Sequence, residues 1–535
     1  MQLKIYPFLL LTLLGMAGCN KDFLVRDNPT ATTDEKWWNL ESDLNTALGD
    51  LYSGLPCGTL GDYGFWTNAR MHTSGATDES VFRANFGDWQ DYGAGTATVQ
   101  QGSAQEIYQR KFLYIRNACR FLEHYKKAYV ANLEKKERFA SEARALRAWY
   151  HLELFQLYGP IPIVSKTIDV NEQFVKRNTA AEVIKFIADE LELAAAGLPD
   201  KYSQGDQFRI TKGACYAIQA SLYINAGDYA NAAIAAKKVI DLQVYTLHHS
   251  SDPAANNYAQ LFSYNGVGSN EVILFRGQGQ RGGFFRSAPK SLNGQSCNSP
   301  TAAMVNAYET LQGKTIQELG KDSMAIYAAD PVYKNNRDPR LKASIAIPGE
   351  TFIGMKLEPW KEDGPDAIGK GQSTHTGFWI KKYVDPLDQG NTDGGGMNFI
   401  IIRYAEILLD YVESLIETDR WQNADVVHYL NEIRARAGMP DVNTAVYNSK
   451  EKLRELVRRE RLVELSFEGQ RLFDIRRWKI AEKVMNGPAE GAVSPITGKP
   501  IVVEVRRFNP ERDYLWPIPL LEMTSNPNMV QNPGW

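Results

Sequence analysis

Apolar positions recur every three to four residues over several long stretches of the chain. They do so from Trp37 to Tyr52 and again over 106–130 and 134–158, which predicts helices there. In the last of these, Phe139, Ala143, Leu146, Tyr150, Leu154 and Leu157 fall on one face, and Gly159-Pro160 stops the helix. Further helices are predicted over 179–197, 211–225, 229–242 and 450–484. The period lapses over 53–105 and 245–400, where Gly, Asn, Asp, Pro and aromatic residues dominate. Loops this long inside a folded chain usually carry function. The C-terminal stretch is Pro-rich and reads as extended.

The stretch 213–242 has a more specific pattern. Ala217 and Ala220 on one helix and Ala232 and Ala236 on the next let the two approach closely across a Gly227-Asp228-Tyr229 turn. This resembles a tetratricopeptide helix pair, which repeats at about 34 residues. A degenerate relative is predicted at 403–437, and the helices of 106–158 form another candidate pair. Three or more such pairs stack into a scaffold.

The N-terminus reads differently from the rest. Behind Lys4, an apolar run from Ile5 to Ala17 is too short to span a bilayer and fits the core of a signal peptide. It ends Met16-Ala17-Gly18-Cys19, which resembles a bacterial lipobox, so residues 1–18 are expected to be removed and Cys19 to carry lipid. Residues 19–36, with Pro29 and several Thr, read as a tether.

Composition narrows the function classes. The 535 residues carry 60 Lys and Arg against 63 Asp and Glu, so no basic excess exists to neutralise phosphates, and a nucleic-acid partner is not expected. Cys57, Cys119, Cys215 and Cys297 are widely spaced, which argues for lone thiols over a disulfide framework or a zinc site. Gly277-x-Gly279-x-x-Gly282 follows a strand-like run but is followed by Phe284, Phe285 and Pro289 with no helical period, unlike a dinucleotide fingerprint. His248-His249 with Asp252 lacks metal-ligand spacing. Asp385, Asp388, Asn391 and Asp393 lie in a Gly-rich loop without EF-hand spacing, so Ca²⁺ is a minor alternative to a solvated turn and no cofactor is expected. Asp78-Glu79 is the best carboxylate pair for a glycosidase, although adjacent loop side chains tend to diverge. The acids and bases of 453–478, Glu460, Glu464, Glu468, Arg471, Asp474 and Arg477, are expected to hold that helix to the scaffold through ion pairs.

The aromatic loops remain. A sugar presents a flat C–H face that stacks on an aromatic ring and a rim of hydroxyls that bonds to Asp, Asn, Arg and Gln. Residues Trp66, Asn68, Arg70, Asp78, Arg83, Trp89 and Tyr92 supply this mixture in one loop, and Phe284, Phe285, Asn293 and Gln295 supply it in another. At least two of the rings are expected in one shallow site.

Five blocks carry a family resemblance. SEARALRAWYHLELFQLYGPIPIV (141–164), SPTAAMVNAYETLQGK (299–314), LRELVRRERLVELSFEGQRLFDIRRW (453–478), DYLWPIPLLEMTSNPNMVQNPGW (513–535) and the lipobox resemble the SusD/RagB family of outer-membrane lipoproteins. The resemblance implies a mainly α, SusD-like fold: a single domain over 37–535, with helix pairs concentrated in 37–245 and the family's C-terminal part over 246–535. It implies four tetratricopeptide-like pairs on one side and a loop-rich ligand-binding half on the other. It also implies a lipid-anchored protein of the cell surface that binds oligo- or polysaccharide and delivers it to a SusC-like TonB-dependent transporter, without being an enzyme. The alternatives are a surface glycoside hydrolase, a protein-interaction scaffold, or a binder of a non-glycan nutrient.

Overall fold

The computed structural model describes residues 37–58, 69–82, 88–203 and 205–535. The leader, Cys19 and the tether lie outside the described residues. Helices α1 (Glu41–Ser53), α2 (Gly102–His124), α3 (Leu133–Tyr158), α4 (Ala180–Ala196), α5 (Lys212–Asn225) and α6 (Tyr229–Asp241) follow in sequence. From α2 onward each packs on the next, while α1 lies against both α2 and α3. The row then continues across a long insertion: α6 packs on α7 (Tyr404–Glu417), which pairs with α8 (Ala424–Arg436) and also meets α9 (Lys450–Glu464). The fold is mainly α, as expected, and the helix bounds agree with the apolar period to within a few residues.

Local chemistry explains the bounds. Asn132, Thr179, Thr211 and Asp228 each accept a backbone N–H at the start of α3, α4, α5 and α6. Helix α3 ends at Gly159, whose φ of 70° requires a residue without Cβ strain. Having neighbours on several sides, α3 is buried nearly all round from Ala143 to Leu152, with only Arg144 part-exposed. Ala217, Ala220, Ala232 and Ala236 are fully buried between α5 and α6, as the small-residue pattern predicts.

The C-terminal third departs from expectation. The single helix predicted over 450–484 is broken into α9, α10 (Arg471–Arg477) and a turn of helix at Ala481–Val484. Phe467 and Gly469 between α9 and α10 both take positive φ, and a Cβ on Gly469 would meet Arg70 Cγ at 2.4 Å. The supposedly extended end contains a hairpin of β5 (Asn486–Val493) and β6 (Pro500–Arg507) and a short helix, Leu520–Ser525. The final residues strap α3: Asn532 donates to the carbonyls of Tyr158 (2.9 Å) and Trp516 (2.7 Å).

A buried charge cluster lies at the break in the predicted helix. Glu464 at the end of α9 accepts from Arg340 (2.9 Å), Arg403 (2.7 Å) and Arg436. Glu468, in the turn, accepts from Arg403 (2.8 Å) and Lys382 (2.6 Å), and Glu271 from Arg403 (2.8 Å) and Arg436 (2.7 Å). Burial alone would raise the Glu464 carboxyl, but Arg436, Arg403 and Arg340 hold it well below the usual carboxylate range. The cluster joins the helical row to the loop-rich half, because Arg403 ends β4 (Phe399–Arg403), which pairs antiparallel with β2 (Val272–Arg276).

Candidate functional site

The two loop regions singled out in the sequence meet in space. Strand β1 (Ser80–Phe82) pairs antiparallel with β3 (Asn298–Pro300), which brings Phe82 opposite Asn298. Beneath them Asn298 Nδ2 donates to Ser74 Oγ (2.8 Å) and Ser80 Oγ (3.0 Å), so three polar side chains bond together in a buried position. Residues 57–58 and 70–71 are bonded as a base: the Arg70 N–H donates to Cys57 O (2.7 Å) and the Met71 N–H to Gly58 O (3.0 Å). The same base is set against the second region, because the Gly58 N–H donates to Gly279 O (2.8 Å). A Cβ on Gly58 would fall 1.6 Å from Gln280 Oε1, so glycine is needed for this approach.

A third segment completes the junction. The N–H groups of Gln280 and Gly282 donate to Met397 O (3.1 Å) and Gly394 O (2.7 Å), and Arg281 Nε donates to Asp393 O (3.2 Å). Residues 56–58 and 69–82 therefore meet segments 276–298 and 393–398 at the end of the β2–β4 ribbon. Gln278, Arg281 and Asn293 are exposed there, and Phe285 is half-buried with the Arg286 guanidinium 5.4 Å from its ring centre. This set offers an aromatic edge, an exposed guanidinium head and two amides, a mixture suited to a hydroxyl-rich ligand.

Several residues expected in a site are elsewhere. Trp66, Asn68 and Arg83 lie outside the described residues. Trp89 is 2% exposed, its ring 5.4 Å from that of Trp516, so it offers no face to a ligand. Tyr92 stacks on the same Trp516 at 4.2 Å and 11°. Phe284 is buried in a small apolar cluster with Trp379 and Leu292. Gln295 is buried and accepts from Arg286 (2.7 Å). Arg70 points inward between the rings of Trp149 and Phe473. Asp78 receives both arms of Arg471 at 2.7 Å. Glu79 is 1% exposed and accepts the Phe467 N–H (3.0 Å), and burial raises its carboxyl to about 8. Asp78 and Glu79 thus do not present a carboxylate pair to a substrate. Of the described candidates, Phe285 and Asn293 remain on the loop surface.

Other sequence features resolve simply. The glycines 277–282 turn the chain from β2 into a five-residue helix, Gly283–Ser287, which the lack of a helical period had hidden. Asp385 and Asp388 bond to Leu387 N–H and the Tyr264 hydroxyl, and no group of three or more His, Cys, Asp or Glu among the described residues is placed to hold a metal ion. The four described cysteines are buried and form no disulfide among the described residues. A cavity of about 240 Å³ on the flank of the β2–β4 ribbon, lined by Tyr245, Phe275, Asn270, Asn398 and Val267, was not anticipated. Its clearest sequence signal is Val267, 56% exposed between two glycines.

The sequence model of the SusD family matches residues 254–535, and a second, described as starch-binding associating with outer membrane, matches residues 22–224. A SusD-like protein of Formosa agariphila is 24% identical over 98% of this chain and 98% of its own. A SusD-like carbohydrate binding protein of Bacteroides fragilis superposes with a TM-score of 0.82 at 26% identity, over 92% of this chain and 99% of that one. A laminarin binding SusD-like protein gives a TM-score of 0.68 at 18% identity, over 93% and 100% of the two chains, which is a likeness of fold.

Proposed function

The chain belongs to the SusD family, and from that premise we propose that it is a surface lipoprotein that captures an oligo- or polysaccharide and passes it to a SusC-like TonB-dependent transporter. The observation that carries the reading is that residues 56–58 and 69–82, 276–298 and 393–398 are bonded together, and that Gln278, Arg281 and Asn293 are exposed and Phe285 half-exposed on them. The likeness to a carbohydrate binding protein over nearly the whole chain supports it. Binding rather than hydrolysis is favoured because Asp78 and Glu79 are engaged by Arg471 and the Phe467 N–H.

The ligand site is proposed to comprise Gln278, Arg281, Phe285 and Asn293, together with Trp66, Asn68 and Arg83. Stacking on Phe285 is worth about 0.5–1.5 kcal/mol beyond area. Calorimetry against a panel of plant, microbial and algal polysaccharides tests this. Phe285→Ala is expected to weaken the glycan that binds by about three- to tenfold with little change in Tm. Unchanged affinity would move the site away from this surface. Release of reducing sugar from the bound glycan would favour a hydrolase.

A further inference from the structure

A second, smaller cavity lies beside Pro56, Arg70 and Thr73. It has a volume of about 50 Å³, and Arg70, Lys111, Glu153, Gln156 and Trp89 are among its lining residues. The polar groups facing it do not balance. Lys111 Nζ is 2% exposed and is already matched by Glu153 at 2.7 Å and Gly54 O at 2.9 Å. Arg70 is 7% exposed, and among the described residues its guanidinium meets no carboxylate, lying instead 5.7 Å from the ring centres of Trp149 and Phe473. Its Nη1 is buried without a hydrogen-bond partner among the described residues, and so is Nε2 of Gln156 on another wall of the same cavity. Two unpartnered donors therefore line one space, whose two cations, Arg70 and Lys111, face the single carboxylate of Glu153, so one counter-charge is wanting.

The nearest other carboxylates do not supply it. Glu468 is spent on Arg403 and Lys382. Burial, and after it the neighbouring Asp410, raises Glu406 to about 8, so it is mostly protonated at neutral pH.

We propose that this cavity is a binding site for a single halide-sized monovalent anion, held by Arg70 Nη1 and Gln156 Nε2 beside Lys111. A buried guanidinium without a counter-charge is costly. Water in the cavity would accept both donors but leave the charge. A monatomic anion does both, and the cavity of about 50 Å³ has room for a water-sized ion, which needs about 10–15 Å³ on that measure. The anion would also brace the candidate ligand surface, because the Arg70 N–H holds Cys57 O beside the Gly58–Gly279 contact. The inference does not depend on what that surface binds.

Melting of the intact mature protein in sodium chloride against sodium gluconate, at matched ionic strength, reads the site. Chloride is expected to give a saturable rise in Tm of about 1–2 °C. Gln156→Glu places a tethered carboxylate at the same spot, and its Tm is expected to be the same in both salts. Crystals soaked in sodium bromide should show an anomalous peak within hydrogen-bonding distance of Arg70 Nη1 and Gln156 Nε2. Water alone at that position in bromide, or a chloride effect of the same size in the wild type and in Gln156→Glu, overturns the proposal. Arg70→Met is a secondary variant, and the conclusion does not rest on its folding.

Discussion

Single residues in this fold act through where their charges are sunk. Glu464 is fully buried and surrounded by Arg340, Arg403 and Arg436. Removing it leaves three guanidiniums short of a counter-charge, at a cost of about 3–5 kcal/mol. Glu464→Ala is therefore expected to lower Tm strongly, while the fraction that stays folded keeps its glycan affinity; a stable variant with lost binding would bring the cluster into the site. Glu79 has the opposite sign. Its carboxyl is raised to about 8 by burial, against about 4.5 in the unfolded chain. Between those values the folded protein keeps a proton that the unfolded chain has released, so stability from this group falls as pH rises. Glu79→Gln is expected to flatten the fall in Tm between about pH 5 and 8, and to melt above the wild type at the upper end. Identical slopes in the two proteins would show that Glu79 does not hold its proton.

At the scale of elements, what the sequence revealed depends on the length of the element. The long helices were legible because an apolar period repeats several times within each, and the close α5–α6 contact because four alanines mark it. The ligand loops were misread where helices are short. Trp89 sits among Asp88, Gln90 and Asp91, which looks like a sugar platform, yet Trp89–Ala94 is a helix of six residues. One and a half turns cannot display a period, and the i, i+4 pair Trp89 and Gly93 faces inward. Phe284 was hidden in the same way by a five-residue helix, while its neighbour Phe285 faces partly outward. The inward course of Arg70 was not legible, because Trp149 and Phe473 lie far along the chain. Gly93 now has a testable role. A Cβ there would fall 2.4 Å from Gly75 O, where the helix Trp89–Ala94 crosses the helical turn Arg70–Ala76. Gly93→Ala is expected to part the two elements that carry the bases of segments 59–68 and 83–87, lowering both Tm and glycan affinity. Gly49→Ala, in α1 with nothing within 4 Å, is the control, and should stabilise by about 0.5–1 kcal/mol with binding unchanged. Equal behaviour of the two variants would remove the packing argument.

At the scale of the whole molecule, the two halves are tied in a way that suits a rigid body on a leash. The Arg403 cluster joins the helical row to the loop half, and the last residues return to α3 through Asn532. No helix among the described residues is long and apolar enough to cross a membrane. For the surface lipoprotein proposed above, the Met16-Ala17-Gly18-Cys19 sequence is the proposed point of attachment. A lipid chain contributes about 0.8 kcal/mol for each CH₂ it buries, and stable anchoring needs more than one chain. The described chain begins at Trp37, so the polar stretch 20–36 separates Cys19 from the first helix. Cys19→Ala is expected to move the protein from the outer-membrane fraction to the soluble one and to abolish labelling by a palmitate analogue. Because the folded body is untouched, the released protein should keep the Tm and the glycan affinity of the wild type. Retention in the membrane fraction after loss of the label would mean that a contact other than the lipid holds the protein at the membrane.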